Sequence, residues 1–149
     1  MNTKLLRRRA LIGALVMSGV LTLTYGCGTM SGSAGTETLT LSGSNEVPAV
    51  NTSATGTAVV TIKPDKSVTV KVTVTGMTAT ASHIHEGAAG TNGPVIVPFT
   101  KTADNTFEAA PAAKLSDAQY ESYKAGKLYV NVHSATYPGG EVRAQLKGS

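Results

Sequence analysis

A chain of 149 residues, 41% apolar, with two phenylalanines and no tryptophan, suits one small domain rather than several. It has 13 Lys and Arg against 9 Asp and Glu, but Lys4, Arg7, Arg8 and Arg9 precede Cys27 and no acidic residue does, so the charges after Cys27 balance. That balance removes the only support for a nucleic-acid-binding domain, which needs a basic face, and a single cysteine excludes an intramolecular disulfide.

The first element in chain order is a leader. After the basic cluster, Ala10 to Leu23 is apolar or small and uncharged. The run is shorter than the roughly 20 residues of a spanning helix. This order predicts a secretory signal peptide over residues 1–26. Cys27, between Gly26 and Gly28, resembles the lipobox cysteine of bacterial lipoproteins, with Thr24 where that pattern usually has Leu. The resemblance implies a lipid on Cys27 and a membrane anchor, in the periplasm or at the cell surface; cleavage and release as a soluble secreted protein is the other reading. The paired arginines also admit twin-arginine export, with the general secretory route as the default. Residues 27–35 are rich in Gly, Ser, Thr and Ala and read as a flexible tether.

From Thr36 the pattern becomes alternation. Leu39 and Leu41 alternate with Thr38 and Thr40, and Ala58, Val60 and Ile62 with Thr57, Thr61 and Lys63. Between Ser67 and Thr75, Val68, Val70, Val72 and Val74 face one way and Thr69, Lys71, Thr73 and Thr75 the other. Period two with β-branched side chains predicts half-buried antiparallel strands. Lys63-Pro64-Asp65-Lys66 supplies turn chemistry, so residues 57–75 form a hairpin. Further strands are expected over residues 81–85, 94–99, 106–109, 127–134 and 141–147. In the last two, Leu128, Val130, Val132, Val142, Ala144 and Leu146 face inward; Tyr129, Asn131, His133, Glu141, Arg143 and Gln145 face outward. One helix intervenes near residues 116–125. Ser116 and Gln119 make a capping box, Leu115 can staple onto Tyr120, and Gly126 stops the helix. The whole predicts an all-β antiparallel sandwich or Greek-key barrel of about 7–8 strands with one short helix.

Three segments then carry a resemblance. Residues 82–87 (Ser-His-Ile-His-Glu-Gly) with 92–97 (Asn-Gly-Pro-Val-Ile-Val) form the first. Residues 128–134 (Leu-Tyr-Val-Asn-Val-His-Ser) with 138–146 (Pro-Gly-Gly-Glu-Val-Arg-Ala-Gln-Leu) form the second. The opening, residues 41–48, is the third. Together they resemble the CHRD (chordin-type) domain family over residues 36–147. The resemblance implies the fold and an exported location but no particular activity; the reading taken is a non-enzymatic binding module, with an envelope or extracellular protein as the candidate partner.

His83, His85 and His133, the only histidines, all fall in these segments. Residues two apart on a strand share a face, so His83 and His85 point together and Ile84 points inward. If the two strands are neighbours, His133 joins them, with Glu141 or Glu86 to complete a set. Neutral imidazoles suit copper or zinc. The other reading is that the histidines only brace the loops 86–93 and 136–140, in a structural or adhesive envelope module. The His-Ile-His-Glu-Gly run also resembles the copper strand of copper/zinc superoxide dismutases. That family requires more histidines and a disulfide, so the resemblance leaves room only for a minimal metalloenzyme. Ser134 follows His133 directly and so faces away from it, which rules out a nucleophile–base pair. Tyr120, Tyr123, Tyr129 and Tyr137 read either as core and rim packing or as an aromatic surface for a partner.

Overall fold

The computed structural model describes residues 35–148, and the expectations for the leader, for Cys27 and for nearly all of the tether lie outside them. Eight strands occur in the order β1 (Gly35–Ser42), β2 (Thr55–Ile62), β3 (Val68–Thr75), β4 (Ala79–Glu86), β5 (Val95–Ala103), β6 (Thr106–Ala109), β7 (Leu128–Ser134) and β8 (Val142–Gln145), with α1 (Asp117–Lys124) between β6 and β7. They close into an antiparallel barrel in the spatial order β1-β2-β3-β6-β5-β4-β7-β8. The closing seam is narrow: Ser42 opposite Arg143 is the β1–β8 register pair. The β3-to-β4 connection, residues 76–78, and the longer β6-to-β7 connection, which carries α1, each skip two strands of the barrel, which makes the winding a Greek key rather than a simple meander. Of the two expected architectures the barrel is the one formed.

Alternation explains the first half of the barrel. In β3 the four valines are buried and the residues between them exposed. The β2–β3 hairpin pairs Thr55 with Thr75 through to Ile62 with Val68, as the Pro64 turn requires. Inside, Leu39, Leu41, Val60, Val70, Val72, Ile84, Phe107, Val130 and Val132 make one core. Each such side chain contributes roughly 1.5–3 kcal/mol by leaving water. The helix forms as its capping box dictates: Gln119 N–H donates to Ser116 Oγ at 3.2 Å, and Ser116 N–H to Gln119 Oε1 at 2.8 Å. Its Tyr123, with Leu115, joins the core and so docks the helix on the barrel.

The second half departs from the expected half-exposed pattern. All seven residues of β7 are buried. In β8, Arg143 is 1% exposed and Glu141, just before it, 5%. Their outward direction stands, but outward here does not mean wet, because the loops 87–94 and 135–141 fold over that face. β5 also runs to Ala103, beyond the expected end near Phe99, because Phe99 to Ala103 pair with β6. Among the described residues, no helix is long and apolar enough to cross a membrane.

Candidate metal centre

β4 lies between β5 and β7, and its register with β7 sets His83 opposite Asn131, His85 opposite Tyr129 and Ala81 opposite His133. His133 is therefore the diagonal neighbour of His83 on the outer face, within reach of a ring. The three imidazoles meet there: one ligand nitrogen of each lies within 4.8 Å of the others. His83 Nδ1 and His133 Nε2 are 3.1 Å apart. His83 is half-buried, while His85 and His133 are 8% and 9% exposed.

Backbone carbonyls fix two of the rings. His85 Nδ1–H donates to Gly93 O at 2.9 Å, and His133 Nδ1–H donates to Pro138 O at 3.0 Å. A carbonyl only accepts, so in the neutral rings each Nε2 is left with a free lone pair. That of His133 faces His83, and that of His85 is buried without any partner. Burial, then the neighbouring His133 and His85, pushes His83 down to about 4. Burial also lowers His85 and His133, against the opposing pull of their carbonyl partners. All three rings are therefore neutral at physiological pH, the state in which imidazole ligates a metal.

The loops carrying those carbonyls are themselves tied down. Arg143 donates from Nη2 to Thr91 O at 2.9 Å and Ala88 O at 3.3 Å, and from Nη1 to Asn92 Oδ1 at 3.2 Å. Its guanidinium lies 3.4 Å over the Tyr129 ring, and Tyr129 stacks on His85 at 5.0 Å and 12°. Gly93 N–H donates to the Tyr129 hydroxyl at 3.0 Å. A guanidinium, a phenol and an imidazole thus form one stack that holds the loop over β7.

Glu141 does not join the histidines. Its Oε1 accepts from Thr52 Oγ1 at 2.8 Å and its Oε2 from Ser134 Oγ. Ser134 Oγ also accepts from Tyr137 N–H at 3.1 Å, so Glu141 steadies the turn that presents Pro138 O to His133. Glu86 is likewise engaged, accepting from Ser122 Oγ at 2.5 Å. Tyr123 and Tyr129 are buried and Tyr120 packs half-buried against the core, so these three do not form a surface; Tyr137 is half-buried in the turn before β8.

Sequence reasoning set Tyr129 and Arg143 on the outward face but gave them no part in holding the histidines, and it did not single out Gly93. Nothing local marks Arg143 out, since it alternates with Val142, Ala144 and Leu146 beside Glu141 and Gln145 as a residue of a solvated face would. The model of the CHRD domain family matches residues 38–146 of the chain. No curated protein and no solved structure gives a significant match.

Proposed function

Because the chain belongs to the CHRD domain family, we propose that it is a non-enzymatic binding domain whose His83, His85 and His133 hold one copper or zinc ion, on a chain exported and anchored through a lipidated Cys27. The observation that carries the metal reading is the buried, partnerless Nε2 of His85 beside two further imidazoles. A lone pair shut away from water without a donor costs free energy of order 1–3 kcal/mol, and an ion would remove that cost. The donor set fits. Two rings already have their far nitrogens on carbonyls, the usual outer partners of metal-bound histidine. The 3.1 Å between His83 and His133 nitrogens is close to the ~3.3 Å edge of a tetrahedron with ligands at about 2.0–2.1 Å. An ion held there by His83 and His133 would take the place of the proton shared between those two rings. The bound metal would supply a Lewis-acidic centre; the protein supplies three fixed neutral donors. Export and anchoring rest on the basic cluster, the apolar run and Gly26-Cys27-Gly28.

A second reading has support of its own. The same carbonyl bonds brace the loops that end at Gly93 and Pro138, which is all a structural envelope module needs. Calorimetric titration of the full chain carrying Cys27→Ser with copper(II) and zinc separates the two. One-to-one binding that vanishes in a His83→Ala/His85→Ala chain is the expected result. Heat no larger than that of the variant leaves the histidines as loop braces.

A further inference from the structure

We infer that the three-histidine centre keeps one metal position open and fills it with a small monovalent anion from solution; this rests on the metal reading above. Donor count is the first argument. Among the described residues the cluster has three members and no fourth. The two carboxylates near it in sequence are committed elsewhere, Glu141 to Thr52 and Ser134, and Glu86 to Ser122. Glu141 holds two hydroxyls, and Glu86 ties β4 to Ser122 of α1, so moving either carboxylate onto an ion would break a bond it already makes. Copper and zinc rarely stop at three ligands, and a centre with three protein donors takes the next from solvent.

Access is the second argument. His85 and His133 are shut in, but His83 is half-buried, and Pro98, opposite it on β5, is exposed. The edge of the cluster on the β4–β5 side therefore meets water, while the β7–β8 side is closed by Arg143 and its loop.

Charge decides what enters. Three neutral imidazoles leave the full charge of a divalent ion uncompensated. The Arg143 guanidinium is stacked on Tyr129, which is stacked in turn on His85, and its charge acts on the His85 ring. That cation is positive as well, and no carboxylate belongs to the cluster. In a part-dry site this field favours an anionic ligand over a neutral one. Azide, a linear monovalent anion, is a suitable probe.

The full chain with Cys27→Ser is loaded with cobalt(II), whose visible bands report coordination, and titrated with azide. A saturable one-to-one shift of the cobalt bands is the expected result, with no response in the His83→Ala/His85→Ala chain. Cobalt that binds but ignores azide overturns the open position and leaves the metal centre standing. Absence of cobalt binding overturns both. An azide response that persists in the double variant places the cobalt elsewhere and also overturns both. Circular dichroism of the variant shows whether its barrel has formed, and His83→Gln replaces it if it has not.

Discussion

Gly93 sits where the chain passes so close to itself that a Cβ would lie 1.7 Å from Glu86 O. The same residue presents its carbonyl to His85. Gly93→Ala must therefore push the loop off β4 and take the His85 partner with it. We expect it to destabilise the domain by more than 2 kcal/mol in urea unfolding, within the range of severe backbone changes. Gly90, three residues earlier, has φ +78° but open space around it. Gly90→Ala should cost only the strain of a left-handed backbone, about 1 kcal/mol. Equal losses at the two positions would remove the steric argument. Gly140 is a parallel case: with φ +131°, its missing side chain leaves room for Asn131 and Glu46.

Glu46 titrates where most carboxylates are long ionised. Burial pushes it up to about 7, against the lowering pull of Arg143. Its Oε1 and Asn131 Oδ1 are both buried without donors, and a protonated carboxyl supplies one. The unfolded chain releases this proton near 4.5, so between pH 4.5 and 7 the folded state holds more protons. Its contribution is present at pH 4.5 and is lost as pH rises through 7. The histidines act in the opposite sense, since their lowered values make acid unfavourable below about 6.5. Comparison with Glu46→Gln cancels that shared background. From pH 5 to pH 8 the parent should lose about 1–3 kcal/mol relative to the variant, read from urea unfolding at both pH values. Parallel profiles would show that Glu46 is already ionised at pH 5.

Among the elements, β8 is short but carries the tie between the sheet and the loop at 87–93. Arg143 reaches three acceptors on that loop, which a fork of donors allows and an ammonium does not. Arg143→Lys keeps the charge and loses the fork. Amide exchange over residues 88–93 should quicken, and copper or zinc affinity should fall, though by less than the roughly 10–100-fold of losing a direct partner of a ligand, because Arg143 reaches His85 only through the loop. The barrel itself should persist, with a stability loss of about 1–3 kcal/mol. Unchanged affinity in a loosened loop would mean that Gly93 O does not set the His85 ring.

For the whole molecule, what could be read from sequence follows which faces meet water. Val68 to Val74 alternate with Thr and Lys because one face of β3 lines the barrel and the other is solvated. Hydropathy reports such a contrast directly, and the capping box of α1 is equally local. The centre was legible only as far as direction: His83 and His85 share a face by strand geometry, but adjacency of β4 to β7 depends on a Greek-key winding that no local pattern encodes. The covering of Tyr129, Asn131 and Arg143 was not legible, because polar side chains under a loop look like polar side chains in water. The partners of His85 and His133 are backbone carbonyls, and a carbonyl leaves no mark on residue identity. Glu141 was a reasonable fourth ligand by proximity in sequence; two hydroxyls bind it instead.

The burial of β7 on both faces has a consequence for how freely this protein can vary. Along β3 every second position is open to water and will accept almost any residue that tolerates an extended backbone. Along β7 there is no such alternate position. Substitution at Leu128, Val130 or Val132 disturbs the interior of the barrel, and substitution at Tyr129, Asn131 or His133 disturbs the polar face beneath the loops. A saturation library selected for folded protein should return β3 as a comb of tolerant and intolerant sites and β7 as one unbroken intolerant block. Drift in this domain is thereby channelled to the threonine-rich side of the barrel, and the histidine face is kept still by its packing even where no ligand is present to select for it.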